Sequence, residues 1–483
     1  MTAAPTLVWF RQDLRLTDNP ALAAAVEDGA PIVPVYVLDD ETPGRWAPGG
    51  AARWWLHQSL AALAGGLDRA GARLVLRRGR GEEVIPALAE EIGAARVVWN
   101  RCYEPWAIDR DTRLKAALKE RGLRADSFNA SLLFEPWAVL TRSGDPYKVY
   151  TPFWKACRDR ADIDAPKPAP QRLPAPEAWP AGDALDDWEL RPKTPDWANG
   201  LRETWRPGEA GAHDRLGAFL DARLGRYKDD RNRPDLDATS GLSPHLHWGE
   251  IGPRQVWSAT GHRIDSGDLA GRENQAETFL KELVWREFSY HLLYHFPHLP
   301  DSPLNERFSE FPWAENRQRL RAWQTGRTGY PIVDAGMRQL WHIGWMHNRL
   351  RMIVASFLVK DLLQPWQAGE AWFWDTLVDA DLANNSASWQ WVAGCGAGAA
   401  PYFRVFNPVL QGRKFDPDGD YVRRWVPELR GLSADHIHEP WAAPAATLKD
   451  AGVRLGDTYP EPMIDHKAAR REALSAFEQV KAA

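Results

Sequence analysis

The sequence predicts an α/β domain built on a doubly wound parallel sheet, followed by a large all-helical domain. Three observations predict it. Within the first 130 residues four short apolar runs, TLVWF, IVPVYVLD, ARLVLRR and ARVVWN, alternate with helical patterns, which is the rhythm of βαβ units. Residues 160–210 are rich in Pro, Ala, Asp and Trp, as in DAPKPAPQRLPAPEAWPAG, a composition suited to an extended connector over the surface. From about 211 onward, helical periodicities are broken by loops, with no sustained strand alternation. The expected organisation is an α/β domain over 1–130, a connector over 131–210 and a helical domain over 211–483. A chain of 483 residues is also too long for one compact core.

The elements follow in order. After TLVWF comes Thr17-Asp18-Asn19-Pro20, where capping side chains stand just before a proline and predict a helix start. No GxGxxG follows that first run, which argues against a nicotinamide site of the usual kind. GAARWWLHQSLAALAGGLDRAG and EEVIPALAEEIG read as the helices after the second and third runs. No internal repeat is present.

Composition excludes several classes of function. The chain is 44% hydrophobic and 26% charged, ordinary for a globular protein. No apolar run approaches the roughly 18 residues of a membrane span. MTAAPTLVWF has no basic region before its apolar stretch, so a cytoplasmic protein is expected. Cys102, Cys157 and Cys395 are too scattered for a disulfide framework and too few for the four thiolates of an iron–sulfur cluster. The net charge of −5 is not that of a uniformly basic nucleic-acid binder, although a local basic patch is compatible with it. Twenty-six tryptophans are unusual. Most are expected in the core, yet indole also oxidises readily and stacks on bases.

Four segments carry candidate chemistry. In ETFLKELVWREFSYHLLYHFP, Glu282, Trp285 and Arg286 stand at i, i+3 and i+4 and share a helix face. Two readings fit: a local Glu–Arg pair on a partly buried helix, or a pocket wall that stacks a base on Trp285 and hydrogen-bonds it through Glu282. In GRTGYPIVDAGMRQLWHIGWMHNRLRMIVASFLVKDLL, Trp341, Trp345, Asn348 and Met352 recur at helical spacing, with Arg338, Arg349 and Arg351 around them. Arginines beside aromatics suit a surface that contacts phosphates and stacks bases. Further on, Asp379 and Asp381 lie two apart, followed by Asn384, Asn385, Trp389 and Trp391. No histidine or third acid joins that pair at ligand spacing, so no metal site is expected. Arg404, Arg413, Lys414, Arg423 and Arg424 make the stretch after it locally basic. Finally Thr239-Ser240-Gly241-Leu242-Ser243 forms a hydroxyl- and glycine-containing turn before a proline, able to cradle a diphosphate, though such turns are common.

Together these segments resemble the photolyase/cryptochrome family. The resemblance runs over nearly the whole chain: LVWFRQDLRLTDNPAL, TSGLSPHLHWGEI, ELVWREF, GRTGYPIVDAGMRQL, GWMHNRLRMIVASFLVKDLL, DLANNSASWQWVAG, APYFRVFNP and EPMIDHKAAR, in the family's order. It implies an N-terminal α/β domain, a long connector and a helical domain that binds FAD. By motif match, Tyr227 and the turn Thr239–Ser243 would contact the flavin phosphates. Asn348, Arg351, Asp379 and Asp381 would lie along the isoalloxazine and adenine, and Asn385 would face the flavin N5. Trp389, Trp366 and Trp313 match the family's electron-hopping chain. In GCGAGAAPYFR the family usually has Asp before Ala-Ala-Pro, where this chain has Gly398.

The resemblance also implies an activity: light-driven electron transfer from reduced FAD to a pyrimidine dimer in UV-damaged DNA, flipped into a pocket because it is unreachable within the duplex. Relatives that repair the (6–4) photoproduct carry histidines in the segment matching MHNRLRM, whereas this chain has Asn348 and Met352. Glu282 resembles the carboxylate that hydrogen-bonds a cyclobutane dimer, which apolar surroundings would keep protonated. The expected lesion is therefore the cyclobutane dimer, wedged by Trp285 and Trp391, with Arg286, Asn348, Arg349, Met352 and Lys414 as further lesion or DNA contacts. A second chromophore is expected on the N-terminal domain. PGGAARWWLHQSL favours 5,10-methenyltetrahydrofolate, and WNRCYEPWAIDRD leaves 8-hydroxy-5-deazaflavin as the alternative. The chain is expected to act as a monomer. The rival reading is blue-light signalling by a cryptochrome, disfavoured by the short stretch after the last family motif and by Asn385, where signalling relatives often carry Asp or Cys.

Overall fold

Five short strands form one parallel sheet in the computed structural model, which describes residues 3–160, 163–398 and 403–482. They are β1 (Thr6–Phe10), β2 (Ile32–Leu38), β3 (Val75–Arg78), β4 (Arg96–Asn100) and β5 (Arg124–Phe128), in the spatial order β3-β2-β1-β4-β5. Leu7 pairs with Val33 on one side and with Val97 on the other. The order reverses at β1, as in doubly wound folds. Every residue of β1, β2 and β4 is buried, because crossover helices cover both faces; this is why these strands read as continuous apolar runs. Leu7, Trp9, Val35, Trp99, Ile85 and Leu114 belong to the resulting core. β5 (RADSF) is an edge strand, partly exposed throughout. Its half-polar sequence carries no strand signal, as suits an edge.

The helices of this part are α1 (Pro20–Glu27), α2 (Gly50–Arg69), α3 (Gly81–Glu91) and α4 (Pro105–Glu120). α1 starts where the sequence predicts: Asn19 caps it by accepting from Leu22 N at 3.1 Å, with Pro20 in the first turn. Such a cap is worth about 1 kcal/mol.

The described chain divides into two compact units. The first holds the residues up to Gly225, Ser240–Pro297 and Val378–Ala383; the second holds Arg226–Thr239, His298–Leu377 and the chain from Asn384 onward. In the first unit, the proline-rich stretch after 163 runs largely without regular structure. Backbone hydrogen bonds tie it to the sheet domain, from Ile32 N to Pro174 O, Leu173 N to Ala70 O and Asp183 N to Leu76 O, each 2.8 Å. Two further helices there position candidate residues, α5 (Tyr150–Arg158) and α6 (Glu273–His295).

Glu287 of α6 is buried and accepts from Leu133 N at 2.8 Å and Phe134 N at 3.2 Å through Oε2. Burial pushes its carboxyl up to about 7, against the lowering by Arg286 and these two amides. An acid raised in the folded state keeps a proton there that the unfolded chain has lost, so stability falls as pH rises from the ordinary carboxylate range through 7. Glu287→Gln keeps an acceptor and removes the charge. We expect it to raise the melting temperature at pH 8, by up to about 3 kcal/mol of stability, and to leave it nearly unchanged at pH 4. Thermal unfolding at the two pH values checks this.

In the second unit, α7 (Pro331–Ile343), α8 (Asn348–Ser356), α9 (Trp366–Thr376) and α10 (Leu382–Ala393, whose first two residues belong to the first unit) carry most candidate positions. The periodic run Trp341–Met352 is not one helix. α7 ends at Gly344, whose φ of 64° is left-handed, and α8 starts anew with His347 as cap, its Nδ1 accepting from Arg349 N at 3.1 Å. Burial and nearby arginines lower the His347 imidazole to about 4, so it stays neutral and free to accept. The motif GRTGYPIVDAGM is architectural. Buried Asp334 accepts from Thr328 N and Oγ1, Gly329 N and Tyr459 Oη at 2.7–3.1 Å. A Cβ on Gly329 would lie 2.3 Å from Glu461 O.

Candidate active site

In the first unit, Glu282, Trp285 and Arg286 stand on one stretch of α6 but differ in surroundings. Trp285 is 38% exposed. One face of its indole is covered by Tyr150 of α5, with ring centroids 3.5 Å apart and planes within 6°. Tyr150 Oη donates to Lys281 O at 2.6 Å, which fixes the covering ring. Trp285 is therefore a braced platform. Sequence spacing does not reveal Tyr150, which lies more than a hundred residues away. Glu282 is partly exposed, short of the full burial that would by itself keep a carboxyl protonated. The Arg286 guanidinium is turned inward, donating to Ser131 O at 2.5 Å and lying 4.8 Å from the Tyr290 ring centre. It also lies 3.7 Å from Glu287.

Asp381 is buried and accepts from Tyr290 Oη at 2.5 Å, with His247 Nδ1 3.5 Å away. Burial opposes its charge, but His247, the positive charge of Arg286 and the tyrosine hydroxyl together hold it well below the usual carboxylate range. It is thus a fixed anion at neutral pH. Asp379 beside it is also buried, and Trp248 Nε1 donates to Val378 O at 3.1 Å to hold this turn. In the turn Ser240–Ser243, Gly241 has φ 60°, and a Cβ there would meet Arg215 Nη1 at 2.6 Å. Leu242 is buried beneath it, and Leu242 N donates to Ser240 Oγ at 3.4 Å.

In the second unit Tyr227 is buried with Arg231 over its ring, and Thr239 is partly exposed. On α8, Asn348 is exposed. Arg349 reaches Asn232 Oδ1 through Nε at 3.2 Å and Nη2 at 2.7 Å, and lies near Met352 Sδ. Arg349 and the exposed Lys414 also approach the same ring, Phe415, at 4.4 and 5.2 Å. This forms a small basic patch of the kind that meets phosphates. Arg351 donates to Met346 O at 2.8 Å. Arg338, which the sequence groups with these cations, instead donates to Gly326 O and pairs with Glu428 at 2.8 Å.

On α10, Asn385 Nδ2 donates to Glu370 O at 3.0 Å, which leaves Oδ1 as the amide's acceptor. Ser386 Oγ bonds the Glu370 carboxylate. Glu370 is a supporting residue that sequence reading missed; its only signal is a carboxylate within the aromatic-rich pattern WQAGEAWFWDT. Trp389 is buried against Phe373 at 5.0 Å and Trp323 at 6.2 Å. Trp366 is buried and Trp313 partly exposed, packed on Phe311. Trp391 is half-buried. Gly398 has φ 65°, a left-handed backbone that suits glycine better than Asp; residues 399–402 of that motif lie outside the described residues.

A Cβ on Gly369 would lie 2.1–2.6 Å from the Trp389 ring, so α9 approaches the indole only because residue 369 lacks a side chain. Gly369→Ala is expected to shift Trp389 and cost about 1–3 kcal/mol. A lower melting temperature together with altered Trp389 fluorescence, against a Trp389→Phe background, checks this.

The elements define a class: a chain with a parallel-sheet α/β part and a helical part that carries buried indoles and an amide fixed by Glu370 O. Comparison with known proteins makes the class specific. The family model described as DNA photolyase matches residues 6–175, and that described as the FAD binding domain of DNA photolyase matches 279–479. The chain is 52% identical to a deoxyribodipyrimidine photo-lyase of Agrobacterium fabrum, over 100% of this chain and 99% of that protein. It is 39% identical to cryptochrome-1 of Arabidopsis thaliana, over 99% of this chain and 71% of that one. A crystal structure of a bacterial class III photolyase from Agrobacterium tumefaciens superposes with a TM-score of 0.96 at 53% identity, covering 100% of this chain and 99% of that one. The chain belongs to the photolyase/cryptochrome family. The structure bears out the α/β and helical fold class. Among the described residues, no helix is long and apolar enough to cross a membrane.

Proposed function

We propose that this protein repairs cyclobutane pyrimidine dimers in DNA, as a light-driven enzyme of the deoxyribodipyrimidine photo-lyase class. The observation that carries the reading is the braced, exposed Trp285 beside Glu282, a stacking platform next to a carboxylate. The photo-lyase name of the Agrobacterium fabrum relative supports repair over signalling.

The residues present fit FAD. The turn at 240–243 offers hydroxyls and backbone amides to a diphosphate, with glycine where a Cβ would strike Arg215. Asn385 offers an oriented acceptor for a ring N–H. Bound and fully reduced, FAD supplies the light-excited electron that opens the dimer. The chain's own residues do the rest. Trp285 and Trp391 stack on the flipped bases, while Arg349 and Lys414 meet DNA phosphates. Asn348 and Met352 line the lesion side of α8, and Arg286 holds α6 in place from within. Glu282 donates a hydrogen bond to the dimer, taking up a proton as the lesion covers it, since desolvation favours the neutral acid. Tyr227, Thr239, Arg351, Asp379 and Asp381 hold the cofactor. Trp389, Trp366 and Trp313 carry electrons inward from the surface.

We further propose 5,10-methenyltetrahydrofolate as antenna, with 8-hydroxy-5-deazaflavin as the alternative; the absorption spectrum of the purified protein distinguishes them. Monomeric action in the cytoplasm completes the reading. Blue-light irradiation of the FAD-loaded protein with oligonucleotides carrying one cyclobutane dimer or one (6–4) photoproduct tests the lesion class. Repair of the first alone is expected, and repair of the second alone would overturn the assignment.

A further inference from the structure

One cavity in the second unit has no part in the roles above, although Trp391 touches its wall. Its other walls include Ser356, Lys360, Phe403, Arg404 and Phe477, and it leaves about 40 Å³ of room. A water needs roughly 10–15 Å³ of such room, so the space suits an ion of a few heavy atoms. Lys360 lies on a single π-helical turn, Phe357–Asp361, which continues α8. Its side chain is 1% exposed, with Nζ 3.0 Å from the Phe403 ring centre.

Among the described residues this amine makes no hydrogen bond and no ion pair. The neighbouring carboxylate, Asp361, is engaged through Oδ1 with His466 Nδ1 at 2.5 Å. The Cys395 thiol is pushed up to about 12 by burial and stays neutral. Burial drives the Lys360 amine well below its ordinary range, with only partial opposition from Cys395 and Asp361. A buried cation without a formed counter-charge is costly. Ser356 lies beside it: its Oγ accepts from Phe406 N at 3.3 Å and keeps its own hydrogen to donate. The stacked rings of Phe403 and Phe477, 4.5 Å apart, form an apolar wall that strengthens electrostatics within the cavity.

We propose that this cavity is a small-oxyanion site, in which a phosphate-sized anion is held by Lys360 Nζ and Ser356 Oγ. Among the described residues no side chain forms an ion pair with this amine, and the anion supplies that counter-charge. The site stands whether or not the protein repairs DNA. The anion comes either from solution or from a DNA backbone phosphate, since the two share the same chemistry.

The test is thermal unfolding of the full-length protein in increasing inorganic phosphate, at ionic strength held constant with sodium chloride. Wild-type protein is expected to gain roughly 2 °C at ten times the apparent Kd. Lys360→Met, which fills the same space without charge, is expected to lose that gain; an unchanged gain would overturn the proposal. Should Lys360→Met fail to fold, Ser356→Ala keeps the amine and removes one donor. It is expected to raise the apparent Kd several-fold, and an unchanged Kd would equally overturn the site. An undamaged oligonucleotide added to the phosphate series identifies the source. Competition assigns the site to a backbone phosphate, and additive stabilisation assigns it to the free anion.

Discussion

Trp366→Phe is expected to abolish light-driven reduction of the oxidised flavin while leaving repair by chemically prereduced protein largely intact. A phenyl ring is far harder to oxidise than an indole, so the substitution removes an electron relay and keeps an aromatic body. Trp366 is buried, so the smaller ring leaves a void that costs about 1–2 kcal/mol; a modest fall in melting temperature is therefore part of the expected result. Buried Trp389 and partly exposed Trp313 suit the inner and outer ends of such a relay. Absorbance of the flavin under blue light, followed by a repair assay on prereduced protein, separates the two functions. Loss of repair in the prereduced variant, or photoreduction at the wild-type rate, would contradict the assigned role.

The second large effect is on binding. Trp285→Ala removes the stacking platform, and base–aromatic stacking is worth about 1–3 kcal/mol per base. Affinity for a dimer-containing oligonucleotide should fall roughly 5- to 150-fold. On the proposed reading, affinity for undamaged DNA would rest on cations such as Arg349 and Lys414, and it should change little. The ratio of the two affinities is thus the informative quantity, measured at one salt concentration. An equal loss on both substrates would mean that Trp285 supports the fold of α6 rather than reading the lesion. Tyr150→Phe retains the covering ring but loses its bond to Lys281 O, and should show a smaller loss than Trp285→Ala in the same titration.

Much of this was legible in the sequence, for identifiable reasons. β1, β2 and β4 are sealed on both faces, so their apolar runs are unbroken. Asn19 and Pro20 announce α1 through local chemistry alone. Elements and contacts that depend on distant partners were not legible. β5 lies at a sheet edge and is half polar, so RADSF looks like a loop. The break between α7 and α8 is hidden because apolar spacing continues through Gly344, whose left-handed backbone alone ends the first helix.

Among the site residues, types were readable and environments were not. Arg286 and Arg338 look like phosphate contacts beside aromatics, yet they donate to Ser131 O and Gly326 O. Tyr150 braces Trp285 from a helix far away in sequence, and Glu287 is a buried acid further along the same helix as the predicted Glu282. Asp334 sits in a motif that suggests chemistry, but its four donors make it a fold anchor.

The most direct measurement of the central claim is dimer reversal on a thymine-dimer oligonucleotide by the FAD-loaded, prereduced protein, compared between blue light and darkness. Restoration of intact thymines in the light alone is the predicted result. Equal yields in light and dark, or no reversal by protein that has bound both flavin and oligonucleotide, would contradict it.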